Sequence, residues 1–231
     1  MNILLIAATS GEIHPFVNHF KVPLNSVSTI GHIQVLTIVS GAGMVATAYS
    51  MGIALRNFQP EFILNVGIAG AIDRSIELGS LVNVVQDYLH RFGAEDNNQF
   101  ISASKIGILN PEVEYLKSSP MKIERNELLN SFELLQKVNG ITVQTVHGNA
   151  SSIKKLKLQH PEAQTESMEG AAVFYAGFME QIPVIQLRSI SNYVEPRNRA
   201  SWKIPEAIRV LNDFLINQFI KAEPFSNEHS F

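Results

Sequence analysis

The amino-acid sequence predicts an α/β fold of three layers, in which helices cover both faces of a mixed, mostly parallel central sheet. Strand-like and helix-like segments alternate along all 231 residues, which is typical of parallel βαβ units. The strand-like segments are continuous apolar runs, as expected for strands that are covered on both faces. Neither a linker nor an internal repeat interrupts the alternation, so we expect one domain over residues 1–231.

Periodicity places the individual elements. Apolar runs of strand length predict strands at residues 2–8, 33–39, 62–66, 81–86, 141–146 and 184–190. Helical spacing predicts helices at residues 12–20, 45–58, 126–138, 151–159, 168–179 and 204–222. The polar, glycine-containing residues 91–99 indicate a loop, and we expect the tail from 224 to 231 to fray.

Composition narrows the class of protein. Hydrophobic residues make up 45% of the chain and charged residues 17%, as in ordinary globular proteins. The net charge of -3 and the lack of a basic tract disfavour binding to nucleic acid or to an anionic membrane. The absence of cysteine excludes disulfides, thiolate catalysis and cysteine-ligated zinc. The apolar start lacks a basic leader, and no run is long enough to span a bilayer, so we expect a cytoplasmic protein.

Polar or glycine-rich segments fall at the ends of predicted strands, at residues 9–12, 41–43, 67–70 and 191–192. In sheets of this type ligands bind beyond the carboxyl ends of the strands, so we expect these segments to form one site. The glycine pairs do not match the dinucleotide fingerprint, and the histidines show no metal-ligand spacing. We therefore expect neither a cofactor nor a metal.

Acidic residues lie in two positions where they could carry chemistry. Glu12 follows the first strand, and it is either a general base that activates water or an acid favoured by the helix dipole. Glu166 and Glu169 flank a serine and a methionine ahead of a run of small residues. They fit either a helix cap or an acceptor for the vicinal hydroxyls of a ribose.

Arg188 and Asn192 fall near the end of the last predicted strand. A buried arginine is costly unless its charge is paired, so Arg188 is either an edge residue that reaches the surface or part of a charged site. Asn192 is either a turn residue or an amide that contacts a ligand.

Five segments together resemble the nucleoside phosphorylase/nucleosidase family. They follow the family's order, and they are Ile6-Ala-Ala-Thr-Ser-Gly-Glu12, Ser40-Gly-Ala-Gly-Met-Val-Ala46, Asn65-Val-Gly-Ile-Ala-Gly70, Glu166-Ser-Met-Glu169 and Arg188-Ser-Ile-Ser-Asn192. The similarity is greatest to the hydrolytic branch, which holds methylthioadenosine/adenosylhomocysteine nucleosidases and futalosine hydrolases. It implies a nucleoside phosphorylase/hydrolase-like fold and an enzyme that hydrolyses the N-glycosidic bond of a purine nucleoside.

The resemblance also implies a role for each matched residue. Glu12 would activate water, oriented through Arg188, and Glu169 would hold the ribose. The other matched residues expected against the substrate are Gly70, Met168, Arg188 and Ser191.

Asn192 departs from the adenine-specific members, in which an aspartate at this position protonates the purine. Departing hypoxanthine carries negative charge on its 6-oxygen, which a neutral amide stabilises and an ionised aspartate would repel. The continuation as far as Trp202 also resembles futalosine hydrolases. These features predict the cleavage of futalosine to hypoxanthine and dehypoxanthine futalosine, a step of menaquinone biosynthesis.

A basic, aromatic segment after Asn192 is a candidate pocket for the 5′ group, which is a carboxyphenyl ketone in futalosine. It contains Arg197, Arg199, Trp202 and Lys203. Arginine binds a planar carboxylate through two parallel hydrogen bonds, and we therefore include Arg197 and Arg199 among the substrate-binding residues. A solvated basic loop explains these residues equally well.

The family resemblance further implies a homodimer or a larger homo-oligomer. The helix at residues 45–55 is rich in alanine, glycine and methionine and is one candidate contact. Phe100 is a candidate for reaching the partner's site, although a place in the core fits it as well.

Other functions stay open at this point. Asn192 disfavours a methylthioadenosine/adenosylhomocysteine or aminodeoxyfutalosine nucleosidase. A purine nucleoside phosphorylase needs a cationic anion site, and Glu12 puts a carboxylate in that position. A non-catalytic nucleoside-binding protein would need neither Glu12 nor Glu169.

Overall fold

The computed structural model describes residues 1–97, 99–109, 115–117 and 127–221. Within them the strands are β1 (Asn2–Ala7), β2 (Val27–Ile30), β3 (Ile33–Val39), β4 (Phe62–Ala71), β5 (Leu81–Leu89), β6 (Gly93–Asp96), β7 (Gln99–Ser102), β8 (Tyr115–Lys117), β9 (Gln136–Thr142), β10 (Thr165–Ser167) and β11 (Val184–Tyr193). The helices are α1 (Ser10–Phe20), α2 (Met44–Asn57), α3 (Glu127–Glu133), α4 (Ala150–Gln159), α5 (Gly170–Glu180) and α6 (Ile204–Lys221).

One large mixed sheet organises the fold. Its strand order is β2-β3-β1-β4-β11-β5-β9-β10, and β8 adds to β5. β3, β1, β4 and β11 run parallel, as do β5, β9 and β10, and the two sets meet antiparallel where β11 pairs with β5. β10 also pairs with β4, so that β4, β11, β5, β9 and β10 close into a small barrel.

Helices cover both faces of this sheet. α1, α3 and α6 share one hydrophobic cluster with Ile3 and Leu5 of β1, whereas α2 and α5 share a second cluster with Leu4 and Ile6. Successive side chains of a strand point to opposite faces, so a strand between two helical layers must be apolar throughout. Burial of each such side chain stabilises the fold by about 1.5–3 kcal/mol. The predicted three-layer α/β arrangement is confirmed.

Two segments predicted as strand-end or loop residues are strands. Residues 67–70 form the second half of β4, because their glycines let neighbouring side chains approach while the pairing with β11 continues. The predicted loop at residues 91–99 is replaced by the hairpin of β6 and β7. This hairpin is largely exposed, so no apolar alternation marks it in the sequence.

The predicted helix at residues 126–138 is wrong in its second half. α3 ends at Glu133, and Val138 and Ile141 are buried in β9, which begins at Gln136. Short apolar runs fit a helix and a strand equally well, and pairing with β5 decides between them here. Residue 126 begins one predicted helix, residue 222 ends another, and residues 224–231 form the predicted tail. Residues 126 and 222–231 lie outside the described residues. Of the described helices, none is long and apolar enough to cross a membrane.

Candidate active site

A cleft of about 410 Å³ opens where β1, β4 and β11 end and where α1 and α5 begin. These three strands are parallel, so their carboxyl ends bring together residues that are far apart in the sequence. The predicted site residues that line the cleft are Glu12, Gly70, Met168, Glu169, Ser191, Asn192 and Arg197. Arg188 and Arg199 do not line it.

Glu12 lies in the first turn of α1 with only 8% of its surface exposed. Its Oε2 accepts hydrogen bonds from the backbone N of Thr9 at 2.9 Å and from Thr9 Oγ1 at 3.0 Å. Its Oε1 accepts one from the backbone N of Ile68 at 3.0 Å. The carboxylate is therefore part of the helix start and also lies at the cleft.

Gly67 makes room for this carboxylate. A Cβ at position 67 would lie 2.6 Å from Glu12 Oε1, closer than real Cβ atoms approach, and 3.0 Å from Arg188 Nη1. Glycine in the middle of β4 therefore lets both charged side chains lie close to its backbone, and a larger residue would displace the carboxylate.

Arg188 is buried behind the cleft, with 2% of its surface exposed, so the reading as an edge residue that reaches the surface is wrong. Its Nη1 donates to Asn65 Oδ1 at 3.3 Å, while Nε and Nη2 have no hydrogen-bond partner among the described residues. No direct contact joins Arg188 to Glu12. The expected orientation of Glu12 through Arg188 is therefore wrong, because Thr9 and Ile68 hold the carboxylate instead.

Glu169 is held by backbone groups on the other side of the cleft. Its Oε1 accepts from the backbone N of Gly43 at 2.9 Å, and its Oε2 from the backbone N of Met168 at 3.2 Å. Glu169 immediately precedes α5, which begins at Gly170 and not at the predicted Met168. A carboxylate thus lies at the cleft with both oxygens fixed by the main chain.

A chain of buried polar side chains runs beneath the cleft. Arg188 donates to Asn65, Asn65 Nδ2 donates to Gln186 Oε1 at 2.8 Å, and Gln186 Nε2 donates to Asp87 Oδ2 at 2.9 Å. Asp87 also accepts from Thr142 Oγ1 at 2.7 Å. Burial raises the pKa of Asp87 to about 6, although these hydrogen bonds lower it.

This chain ends under the start of α5. Thr142 Oγ1 accepts from the backbone N of Ala171 at 2.7 Å, and a Cβ at Gly170 would lie only 2.1 Å from Asp87 Oδ2. The first turn of α5, next to Glu169, therefore rests on the buried carboxyl. The network links the surroundings of Glu12 to those of Glu169.

Ser191 and Asn192 form the opposite end of the cleft. Ser191 Oγ lies 2.8 Å from Asn192 Oδ1 and 3.2 Å from the carbonyl oxygen of Ala69, and Asn192 Nδ2 donates to the carbonyl oxygen of Tyr193 at 3.0 Å. A Cβ at Gly70 would lie 3.2 Å from Asn192 Nδ2, so the amide leans over that glycine. Asn192 is the last but one residue of β11 and is not a turn residue.

His147 and Glu166 form an ionisable pair that also lines the cleft. The backbone N of His147 donates to Glu166 Oε1 at 2.9 Å, and His147 Nδ1 contacts Glu166 Oε2. Burial raises the pKa of Glu166, and the contacts with His147 oppose that shift. Glu166 lies in β10, so the reading as a helix cap is wrong for it.

Trp202 contributes an aromatic wall, and Arg197 lies 5.1 Å from its ring centroid. Arg199 lies 5.9 Å from the same centroid without lining the cleft. The backbone N of Lys203 donates to the carbonyl oxygen of Ser191 at 2.7 Å, which brings this segment back against the strand end. Phe100 is elsewhere, on the exposed hairpin, where Arg91 lies 5.3 Å from its ring.

Sequence reasoning missed the pairing of His147 with Glu166 and the buried chain of Asn65, Asp87 and Gln186. His147 and Glu166 are nineteen positions apart in the sequence, so no local motif marks the pair. A polar residue inside an apolar strand, such as Gln186, is the signal that could have found the buried chain, because such a residue needs a partner.

Comparisons with known proteins agree with this geometry. The model of the phosphorylase superfamily matches residues 2–218. A futalosine hydrolase from Streptomyces coelicolor is 29% identical over 92% of this chain and 93% of its own length. A 5'-methylthioadenosine/S-adenosylhomocysteine nucleosidase from Maridesulfovibrio salexigens is 24% identical over 84% of this chain and 87% of its own.

Solved structures show the same fold. The 5'-methylthioadenosine/S-adenosylhomocysteine nucleosidase of S. pneumoniae, solved with a transition-state inhibitor, has a TM-score of 0.75 and 25% identity, over 96% of this chain and 99% of that one. The futalosine hydrolase of Helicobacter pylori has a TM-score of 0.75 and 17% identity, over 96% and 98%.

Proposed function

The chain belongs to the phosphorylase superfamily, and on this premise we propose that it hydrolyses the N-glycosidic bond of a purine nucleoside, with futalosine as the substrate. The observation that carries the proposal is the placement of Glu12, Glu169 and Asn192 on one cleft. Two carboxylates suit the ribose, which becomes positively charged as the bond breaks, and an amide suits the purine, which becomes negatively charged.

The reaction follows from these three groups. Glu12 takes a proton from a water molecule whose oxygen attacks C1′ of the ribose. Glu169 accepts hydrogen bonds from the 2′- and 3′-hydroxyls and stabilises the positive charge that grows on the sugar. The bond from C1′ to N9 of the purine breaks, and the Asn192 amide donates to the purine as negative charge spreads over its ring and 6-oxygen.

Water is favoured over phosphate as the nucleophile. A phosphorylase binds its anion with cationic side chains and backbone N–H groups. Here the backbone N–H groups of Thr9 and Ile68 already donate to the Glu12 carboxylate, which would repel phosphate. The position that an anion would need is occupied by a negative charge.

Two features support futalosine as the substrate. Asn192 suits the 6-oxygen of hypoxanthine, and Arg197 and Trp202 lie on the same cleft as the proposed ribose acceptor. Trp202 stacks on the aromatic ring of the 5′ group, and Arg197 binds its carboxylate. The similar Streptomyces coelicolor protein is named a futalosine hydrolase. The products would be hypoxanthine and dehypoxanthine futalosine, as in menaquinone biosynthesis by the futalosine route.

The experiment is to incubate purified enzyme with futalosine, inosine and methylthioadenosine, each with and without phosphate, and to identify the released base by chromatography. We expect hypoxanthine from futalosine at a rate that phosphate does not change. Release of adenine from methylthioadenosine with no cleavage of futalosine would overturn the substrate. A strict need for phosphate, with ribose 1-phosphate as product, would show a phosphorylase.

Arg197 and Arg199 offer a matched pair of variants for the 5′ pocket, since both lie near Trp202 and only Arg197 lines the cleft. Arg197→Gln should weaken futalosine binding by about 1.5–3 kcal/mol and leave inosine, which has no carboxylate, nearly unchanged. Arg199→Gln should change neither. Equal effects of the two variants would contradict the proposed role of Arg197 in binding the carboxylate.

We also propose that the chain is at least a homodimer, with α2 at the interface. Val45, Tyr49 and Ile53 recur on one face of α2 and are 80%, 72% and 47% exposed. Such an apolar stripe on a helix surface indicates a contact with another chain. Light scattering at micromolar concentration should give more than the 25.6 kDa of one chain.

A further inference from the structure

The proposed reaction needs a source for the proton that the departing purine takes up. When the bond from C1′ to N9 breaks, its electron pair passes into the purine ring. Asn192 donates a hydrogen bond to that ring but has no proton to give up, because an amide does not ionise at physiological pH. An acid on the same wall of the cleft would stabilise the leaving group further. The assignment of such an acid rests on the function proposed above.

We propose that His147, paired with Glu166, is the acid that protonates the departing purine. Glu166 Oε1 accepts a hydrogen bond from the backbone N of His147 at 2.9 Å, and Glu166 Oε2 contacts Nδ1 of the ring. Together the two contacts fix the imidazole. Nδ1 is thereby engaged, and Nε2 is the ring nitrogen left for a substrate. The side chains are 10% and 3% exposed, which keeps bulk water from competing for the contact.

Strand register places this pair beside Asn192. Glu166 of β10 is the partner of Gly70 in β4, and Asn192 of β11 is the partner of the same glycine on its other side. Side chains of residues paired across neighbouring strands lie on the same face of a sheet. Glu166 and Asn192 therefore lie on the two strands that flank Gly70, and both line the same cleft as His147 and that glycine.

A buried carboxyl and a second histidine lie next to His147. Burial raises the pKa of Glu166, and its contacts with His147 oppose that shift. The ring of His90 lies 5.1 Å from that of His147, but burial lowers the pKa of His90 to about 4, so His90 is neutral near pH 7.

Other charged or titratable groups surround the pair. His160 lies beyond His90, with ring centroids 5.2 Å apart, and the backbone N of Arg197 donates to the carbonyl oxygen of Gly148 beside His147. Glu12 and Glu169 face the same cleft. Among these groups Glu166 makes the direct contact with the imidazole.

The proton balance of the step is complete. Water attacks C1′ and loses a proton to Glu12, and the pair of electrons from the broken bond goes to the purine. His147 Nε2 gives its proton to a nitrogen of the purine. After the base leaves, Glu12 releases its proton to solvent and the neutral imidazole takes one up, so both groups return to their starting forms. Glu166 does not touch the reacting atoms; it positions the ring and stabilises its cation.

The test compares two leaving groups in His147→Gln. One substrate is the hypoxanthine nucleoside that the wild type cleaves, and the other is 4-nitrophenyl β-D-ribofuranoside, whose nitrophenolate leaves without a proton. His147→Gln should lower kcat on the nucleoside by about 10²-fold and leave the nitrophenyl riboside nearly unchanged. The pH profile of the wild-type rate on the nucleoside should have a basic limb, as a required acid gives, and this limb should vanish in the variant.

Two further variants test the role of Glu166 and provide a control. Glu166→Gln retains a hydrogen-bonding side chain without its charge, and it should move the basic limb of the pH profile to lower pH. His160→Gln, in the same group of histidines but away from the cleft, should leave both substrates and the pH profile as in the wild type. Circular dichroism and the melting temperature check that each variant is folded.

The outcomes separate this inference from the proposed function. If His147→Gln loses the same factor on both substrates, or loses nothing, His147 is not the acid. If the wild type cleaves methylthioadenosine but no hypoxanthine nucleoside, the proposed substrate is wrong, and the same comparison made with methylthioadenosine still decides the role of His147. If the wild type cleaves none of these nucleosides, both proposals fall.

Discussion

The two ends of the cleft are built differently. At the end proposed to bind the ribose, here called the sugar end, Glu12 and Glu169 are held mainly by backbone N–H groups, from Thr9 and Ile68 for the first and from Gly43 and Met168 for the second. At the end proposed to bind the purine, here called the base end, polar side chains largely hold one another, as His147 does with Glu166 and Ser191 with Asn192.

This difference separates chemistry from specificity. Backbone donors come with the fold, so the hydrogen bonds to the carboxylates of the sugar end depend little on which side chains lie nearby. A contact between two side chains changes when either residue changes. On the proposed function, we therefore expect a single substitution to alter the choice of base more readily than the reaction at the ribose.

The largest effect is expected from Glu12→Gln. The variant keeps a side chain of the same shape that can still accept from Thr9 or Ile68, but it has no base to take a proton from water. Turnover should fall by roughly 10²–10⁴-fold, while the fold and substrate binding are retained. Steady-state kinetics with a binding measurement check this, and near-wild-type turnover would remove Glu12 from the mechanism.

Gly67→Ala tests the geometry of the sugar end without changing a charged residue. The added Cβ would meet Glu12 Oε1 at 2.6 Å, so the carboxylate must shift away from its position. A displacement of about 1 Å at a reacting group costs on the order of 10²-fold in rate. Gly52→Ala is the matched control, because an added Cβ meets nothing within 4 Å there. Equal rates in the two variants would contradict the close approach at Gly67.

Asn192→Asp tests whether the base end can be altered alone. An ionised aspartate repels the 6-oxygen of hypoxanthine, whereas a protonated one donates to an adenine nitrogen. The ratio of kcat/KM for the 6-oxopurine over the 6-aminopurine nucleoside should fall by about 10- to 100-fold, corresponding to one charged hydrogen bond. Competition between inosine and adenosine measures this ratio, and an unchanged ratio would mean that Asn192 does not read the base.

The smallest effect concerns the buried carboxyl beneath the sugar end. The pKa of Asp87 is raised to about 6 from an ordinary value of 3.8, so the folded state holds more protons than the unfolded state between these values. The contribution of this group to stability is therefore greatest below about pH 4 and is lost as pH rises to about 6. Asp87→Asn should flatten this part of the curve of unfolding free energy against pH.

Urea unfolding at a series of pH values measures that curve. The control is Asp213→Asn, since Asp213 is an exposed residue that pairs with Arg209 one helical turn away. A control curve that follows the wild type, beside a flatter curve for Asp87→Asn, would assign the effect to burial. Parallel curves for all three proteins would contradict the raised pKa of Asp87.

Much of the site could be predicted because its residues lie within short segments at strand ends. Glu12 follows β1, Asn192 lies near the end of β11 and Glu169 precedes α5, and the apolar pattern of each of these elements is plain. Parallel strands bring their carboxyl ends together. His147 could not be found this way, since its partner Glu166 lies on β10, a strand of three residues that shows no period.

The sequence by itself determined the three-layer α/β fold, because a strand buried between two helical layers must be apolar on both faces, and that pattern is local. It also placed Glu12 and Asn192 at strand ends and Glu169 at the start of a helix, because chain order decides which residues follow or precede an element. Only the tertiary structure decided that Arg188 lies behind the cleft, that Asp87 supports the start of α5, and that His147 meets Glu166. Those contacts join residues brought close by strand pairing and by the closure of β10 onto β4, and no property of a short segment encodes them.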